Sequence, residues 1–285
     1  MLDALQKQGG GSNALIGSCT IVCGPDAGPT TRLALSIYRD AGIDIPMAVL
    51  TPERCAHDSS WNDFPAVRLL LDEEVRDRER IVSFLETHRT KNALRGRSTN
   101  WYLQQYLKLS HVWNSASPIF VHDGDTIFSP ALLQQQMVSP FLMTTKEKTL
   151  AYNAASLAAG IPIYGKSFVA NGGIFYPEYL QMLSANPADW FIEVMERGVI
   201  RSGSIGDFSE YHIMGSLLKK NFPIRQIAIF RRFDLLVPSP QNLDAKRRCL
   251  LALKRYNAIA FETAHRSTPV KRLLGRLAYL AKYSW

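Results

Sequence analysis

Two aspartates, Asp123 and Asp125, stand one residue apart at the end of the apolar run Ile119, Phe120, Val121, with Gly124 between them. A strand carrying that run would deliver both carboxylates to the C-terminal edge of a sheet. Mg²⁺ and Mn²⁺ take hard oxygen ligands and are commonly held by one or two carboxylates together with substrate phosphates. The pair therefore suits a divalent cation that also meets a diphosphate. Gly124 would let the backbone turn sharply and come close to such a ligand. Asp-Gly-Asp is equally an ordinary solvated turn.

Further polar groups fall at spacings that could serve the same chemistry. Gln104, Gln105 and Lys108 lie within one turn of a helix expected over 101–113. If Leu103, Tyr106 and Leu107 face the core, one of these polar groups can reach the strand ends, where Lys108 would neutralise phosphate charge. A wholly solvated face is the other reading. Arg95 and Arg97 belong to the preceding loop. Asn171, Gly172 and Gly173 interrupt the apolar run 168–176, at a cost in strand propensity that fits either a ligand approaching the backbone or a β-bulge. Asp207 and Glu210 have the spacing of a capping box at the start of a helix expected over 207–219. His122 and His212 adjoin these acids, and lone histidines more often pack than ligate.

Elements that could position these groups alternate along the chain. Strands are expected over 14–23, 45–50, 66–71, from Ile119, over 141–144 and over 224–230. Helices are expected over 30–41, 73–89, 132–138, 148–159 and 177–183. That alternation predicts an α/β fold around a parallel sheet.

From WYLQQYLKL (Trp101 to Leu109), through FVHDGDTIF, to NGGIFYPEYL (Asn171 to Leu180) and SEYHIMGSLL (Ser209 to Leu218), the chain resembles the GT-A class of glycosyltransferases with its D-x-D motif. More narrowly, it resembles a poorly characterised bacterial family found with polysaccharide genes. The resemblance covers roughly residues 95–220. It implies a GT-A-like, Rossmann-type fold with a mixed, mostly parallel sheet flanked by helices, and a C-terminal basic amphipathic helix beyond it. It also implies a nucleoside-diphosphate sugar donor, Mn²⁺ or Mg²⁺, and a saccharide or lipid-linked acceptor in bacterial surface polysaccharide synthesis.

By resemblance, Asp125 would be the direct metal ligand, and Asp123 would hold the ribose or a metal-bound water. Cys23, Gly24 and Pro25 would meet the nucleotide base. Gln105, Lys108, Asn171, Gly172 and Gly173 would line the donor site. Glu210 would be the catalytic base, with Asp207 in reserve, and His265 would be a C-terminal metal ligand. Two other classes stay open. Haloacid-dehalogenase phosphatases use D-x-D-G-T, but this chain reads D-G-D-T and places it after at least two strands. A non-catalytic polysaccharide assembly protein would not need both acids intact.

A chain of 285 residues with 46% hydrophobic content can bury a substantial core. Cys19 and Cys23 have C-x3-C spacing without a second pair to complete a zinc site, so reduced thiols in a cytosolic protein are expected. The N-terminus lacks the pattern of a secretory leader, and no stretch is long enough to span a bilayer. Residues 246–285 hold ten of the 33 Lys and Arg but only Glu262 of the 25 Asp and Glu, so the rest of the chain is near neutral. We therefore expect a flexible N-terminus (1–13), a catalytic domain (14–245) and a basic helical appendage (246–285). In the appendage Val270, Leu273, Leu274, Leu277 and Leu280 share a face amid Lys271, Arg272, Arg276 and Lys282. This suits an anionic membrane surface rather than nucleic acid, with packing on the body as the alternative. The expected location is cytoplasmic, peripheral on the inner face of the membrane.

Overall fold

The computed structural model describes residues 15–90, 94, 98–147, 150–201, 207–231 and 243–261. Short apolar runs ending in Thr, Asp or Gly/Pro loops make the main sheet. In chain-order numbering, β1 (Ser18–Val22), β2 (Met47–Thr51), β3 (Val67–Leu71), β4 (Ile119–Asp123) and β7 (Gly172–Phe175) lie in the order β3-β2-β1-β4-β7. β2 and β3 are parallel, with Met47 beside Val67 and Thr51 beside Leu71. In β4 every residue from Ile119 to His122 is buried and only Asp123 is partly exposed, as in a strand covered on both faces.

The helices are α1 (Gly28–Asp40), α2 (Glu53–Ala56), α3 (Arg78–Thr90), α4 (Thr99–Trp113), α5 (Pro130–Val138), α6 (Leu150–Ala158), α7 (Pro177–Gln181), α8 (Pro187–Val194), α9 (Glu210–Leu218) and α10 (Leu243–Leu253). Their alternation with the strands gives the expected α/β fold, a mostly parallel central sheet flanked by helices.

By density of internal contacts the chain forms two compact units. One comprises the described residues of Glu73–Val121 and Gln135–Gln226, together with those up to Cys19. Its centre is α4, opened by Ser98, whose hydroxyl accepts from Trp101 N at 3.1 Å. Tyr102, Tyr106, Leu109 and Val112 of α4 are buried, and Tyr106 meets Phe191 edge-on at 5.4 Å. A short parallel pair, β6 (Leu142–Thr144) and β8 (Ile224–Gln226), belongs to the same unit. α8 runs into a π-helical turn, Met195–Ile200. There Gly198 packs against α6 so closely that a β-carbon would sit 2.6 Å from Ala155 Cα.

The other unit comprises Thr20–Asp72, His122–Gln134 and the described residues from Ile227 onward. Here β10 (Ala258–Ala260) lies between β5 (Thr126–Phe128), to which it is antiparallel, and β9 (Ile229–Arg231), to which it is parallel. Tyr38 of α1 reaches this layer, its hydroxyl accepting from Phe128 N at 3.0 Å.

Several expectations change in detail. The helix expected over 73–89 is a 3-10 turn, Asp72–Glu74, followed by α3, with Asp77 between them at φ 60°. The strand expected over 224–230 is two strands, β8 and β9, that join different sheets. The expected boundary at 245/246 falls inside α10, and beyond it β10 is paired on both sides. Residues 1–13, Arg95, Arg97, His265 and the amphipathic pattern from Val270 lie outside the described residues. Among those described, no helix is long and apolar enough to cross a membrane.

Gly198 gives a direct test of the packing. Gly198→Ala should lower the unfolding free energy by about 1–3 kcal/mol, because the obstructing atoms are backbone and cannot rotate away. Gly165→Ala, where a β-carbon meets nothing within 4 Å, should change it little. Urea denaturation of both variants checks the contrast.

Candidate functional site

Asp123 ends β4, and Gly124 and Asp125 form the two-residue turn that leads into β5. Gly124 is buried in it, and its amide donates to Val22 O at 2.8 Å while its carbonyl accepts from Thr31 Oγ1 at 2.9 Å. A β-carbon on Gly124 would lie 2.8 Å from Thr31 Oγ1, 2.9 Å from Cys23 Cα and 2.9 Å from Val22 O. The protein's own atoms therefore already require a glycine at this sharp turn, and its φ is not positive. Asp125 O accepts from Phe261 N at 2.8 Å, and Asp125 Oδ1 accepts from Thr126 Oγ1 at 3.2 Å. Both aspartates remain partly exposed on this fixed turn.

The same contacts bring the D-G-D turn against Val22 and Cys23, where β1 ends and the loop to α1 begins. Cys23 N donates to Leu50 O at 2.8 Å. Burial pushes the Cys23 thiol up to about 11 and that of Cys19 up to about 12, so neither is a thiolate nucleophile or ligand near neutral pH. Gly24 is partly buried and Pro25 exposed. The loop leads into α1, whose N-terminus carries no side-chain cap. Such an end favours anions, and here it sits one turn from Thr31, the residue that grips Gly124. Thr31 carried no sequence signal beyond its place just inside a helix after a Gly/Pro loop.

His122 does not face this turn. Its ring packs edge-on against Tyr38 and Phe128, and Nδ1 donates to Asp123 O at 2.9 Å. Among the described residues no group of three or more His, Cys, Asp and Glu side chains could hold a metal. Two partly exposed carboxylates on a rigid turn still fit a Mg²⁺ or Mn²⁺ site of the kind completed by substrate oxygens and water.

The remaining candidates belong to the other unit. α9 starts at Glu210, and its cap is Ser209, whose hydroxyl accepts from His212 N at 3.3 Å. The expected capping box is thus wrong. Ser209 is the extended residue at the helix entry, and Glu210 is the first helical residue rather than the third. Glu210 is fully buried and ion-paired with buried Lys108 at 2.6 Å. The Gln105 amide, turned so that its NH₂ faces Glu210, donates to the same carboxylate. Lys108 also lies over the Tyr211 ring, 4.6 Å from its centre. The sequence assigned Lys108 to phosphate and Gln105 to the donor site; here both bond to Glu210.

Asp207 is partly exposed and accepts from Tyr102 OH at 3.1 Å and Phe208 N at 2.9 Å. Asn171 takes a left-handed conformation, φ 55°, so the strand of the 168–176 run begins only at Gly172. Gly172 and Gly173 line a small cavity of about 10 Å³ with Phe168, Tyr211 and Met214. A β-carbon on Gly173 would meet Tyr211 at an ordinary 3.6 Å. His212 is buried between Tyr152 and Phe168, and burial pulls its pKa down to about 4, so it stays neutral.

The solved galactosyltransferase LgtC, in complex with donor and acceptor sugar analogs, is similar to this chain at TM-score 0.51 and 12% identity, over 92% of this chain and 95% of that one. The fold is GT-A-like. An active-site mutant of LgtC has TM-score 0.49 and 10% identity over 92% and 95% of the two chains. Mouse xyloside xylosyltransferase 1, in its apo form, has TM-score 0.44 and 10% identity over 87% and 98%. No family model and no curated protein matches the chain. At these identities the likeness bears on fold alone.

Because Lys108 and Glu210 are buried together, removing either charge strands the other. Lys108→Met and Glu210→Met should each cost about 3–5 kcal/mol of stability, and the double Lys108→Met/Glu210→Met far less than the sum. A double-mutant cycle by urea denaturation reads this directly, and additive losses would contradict the pairing.

Proposed function

We propose that the protein is a glycosyltransferase that moves a sugar from a nucleoside-diphosphate donor to a saccharide or lipid-linked acceptor in surface polysaccharide synthesis, with Mn²⁺ or Mg²⁺ at Asp123 and Asp125. The observation that carries the reading is the Gly124 turn, which holds both carboxylates beside the Cys23-Gly24 loop and the start of α1. Asp125 is the direct ligand, and Asp123 orients the ribose or a bound water. When bound, the cation would stabilise negative charge on the departing diphosphate, an effect worth several kcal/mol. The amides at the α1 N-terminus add to the same charge balance. The Cys23, Gly24 and Pro25 backbone borders the base.

Asp207 takes the part of acceptor-facing carboxylate. A general base must lie within hydrogen-bond reach of the proton it removes. The reach of Glu210 is spent on Lys108 and Gln105. Asp207 is partly exposed and bonded to Tyr102, so its carboxylate is the more accessible of the two. Glu210 then acts as an anchor for the start of α9. Asn171, Gly172 and Gly173 offer a backbone edge to a sugar. The basic segment from Lys246 onward would hold the enzyme at an anionic membrane surface, where lipid-linked acceptors reside.

Calorimetric titration with UDP, GDP and CDP in the presence of Mn²⁺ tests the donor site. One nucleotide should bind, and chelation or Asp125→Ala in a folded protein should weaken it at least about ten-fold, some 1.4 kcal/mol. Binding indifferent to both changes would remove the metal role from the turn.

A further inference from the structure

α10 has two unlike faces. Cys249, Ala252 and Leu253 are buried, and Lys246 is tied to α1 through Ser36 Oγ at 2.6 Å and through Asp40. The opposite side exposes Arg247, Arg248, Leu250, Leu251, Lys254 and Arg255. These residues fall at i, i+1, i+3, i+4, i+7 and i+8, so they form one stripe running to the turn that ends the helix. Leu250 and Leu251 are 39% and 47% exposed, with two cations a turn before them and two a turn after. No acidic residue occurs between Lys246 and Phe261.

We infer that this stripe is a docking surface for an anionic lipid bilayer. Four cations around two exposed leucines match a layer whose outer plane is negative and whose interior, a few ångströms deeper, is apolar. The charges bring the helix to the surface, and the leucines enter between headgroups. A nucleic-acid groove would complement the cations and leave the leucines without a role. The helix is anchored on its other side by Lys246 and by the residues buried against the body, so the stripe is presented as a fixed plane. The inference rests on the membrane reading of the basic segment and narrows it to one helix face. It is independent of the donor chemistry.

Flotation of the full chain with phosphatidylglycerol/phosphatidylcholine vesicles, at about 0.15 M salt, tests it. Each cation near such a surface is worth roughly five-fold in partitioning, so Arg248→Glu/Lys254→Glu should reduce binding by at least about ten-fold. Leu250→Ser/Leu251→Ser should weaken it about ten-fold while keeping the salt dependence. All four positions are on the surface, so melting temperature should hardly change. Metal-dependent nucleotide binding should also persist in both variants. Vesicle binding that survives both double substitutions would overturn the stripe while sparing the rest of the basic segment. Failure of the wild-type chain to bind anionic vesicles would overturn the membrane reading itself. Equal binding to pure phosphatidylcholine, or binding to duplex RNA through the same residues without vesicle binding, would also refute it.

Discussion

At Gly124 the protein has no room for a β-carbon, and the geometry of the paired acids follows from that fact. With Val22 O, Cys23 Cα and Thr31 Oγ1 all within 3 Å of where the atom would be, the turn rests directly on the end of β1 and the first turn of α1. Hydrogen bonds through the Gly124 amide and carbonyl fix it there, and Phe261 N holds the next carbonyl. A carboxylate on either side of such a point has few ways to move. If the two aspartates hold a cation, as proposed, fixing them before it arrives would lower the ordering cost of binding. β5, which follows this turn, pairs with β10 in the unit that carries the acids.

A different constraint governs the other unit. Lys108 and Glu210 are both removed from water, and two such charges are tolerable only together. The pair joins α4 to the start of α9, while Tyr102 on the same α4 grips Asp207 just before it. One buried helix thus determines where both acids of the 207–210 segment lie. It leaves one of them accessible and encloses the other. Burial of an ion pair adds little net stability, but it penalises any arrangement that separates the partners, and so favours a single packing of α9 on α4.

Much of the framework was legible because it is written locally. Apolar runs bounded by Gly, Pro or Asp marked β1 to β4, and the end of one of them pointed to Asp123 and Asp125. What escaped depends on partners distant in the chain. Nothing near Lys108 signals that its counter-ion lies 102 residues away. Asp207 and Glu210 fit a capping box by spacing, yet Ser209 wins because the chain is still extended there and its hydroxyl reaches His212 N. The run 224–230 reads as one strand, although its halves pair with β6 and β10 in separate sheets. Gly124 was flagged for a sharp turn, but its close contact with Val22, Cys23 and Thr31 carried no sequence signal, since these partners lie 93 or more residues away.

Anomalous diffraction at the manganese edge, from crystals grown with Mn²⁺ and the nucleoside diphosphate that binds, tests the metal role of this turn most directly. The account predicts a peak about 2 Å from an Asp125 carboxylate oxygen and in contact with the diphosphate. A bound nucleotide with no manganese at Asp125, or with manganese held elsewhere in the chain, would contradict it.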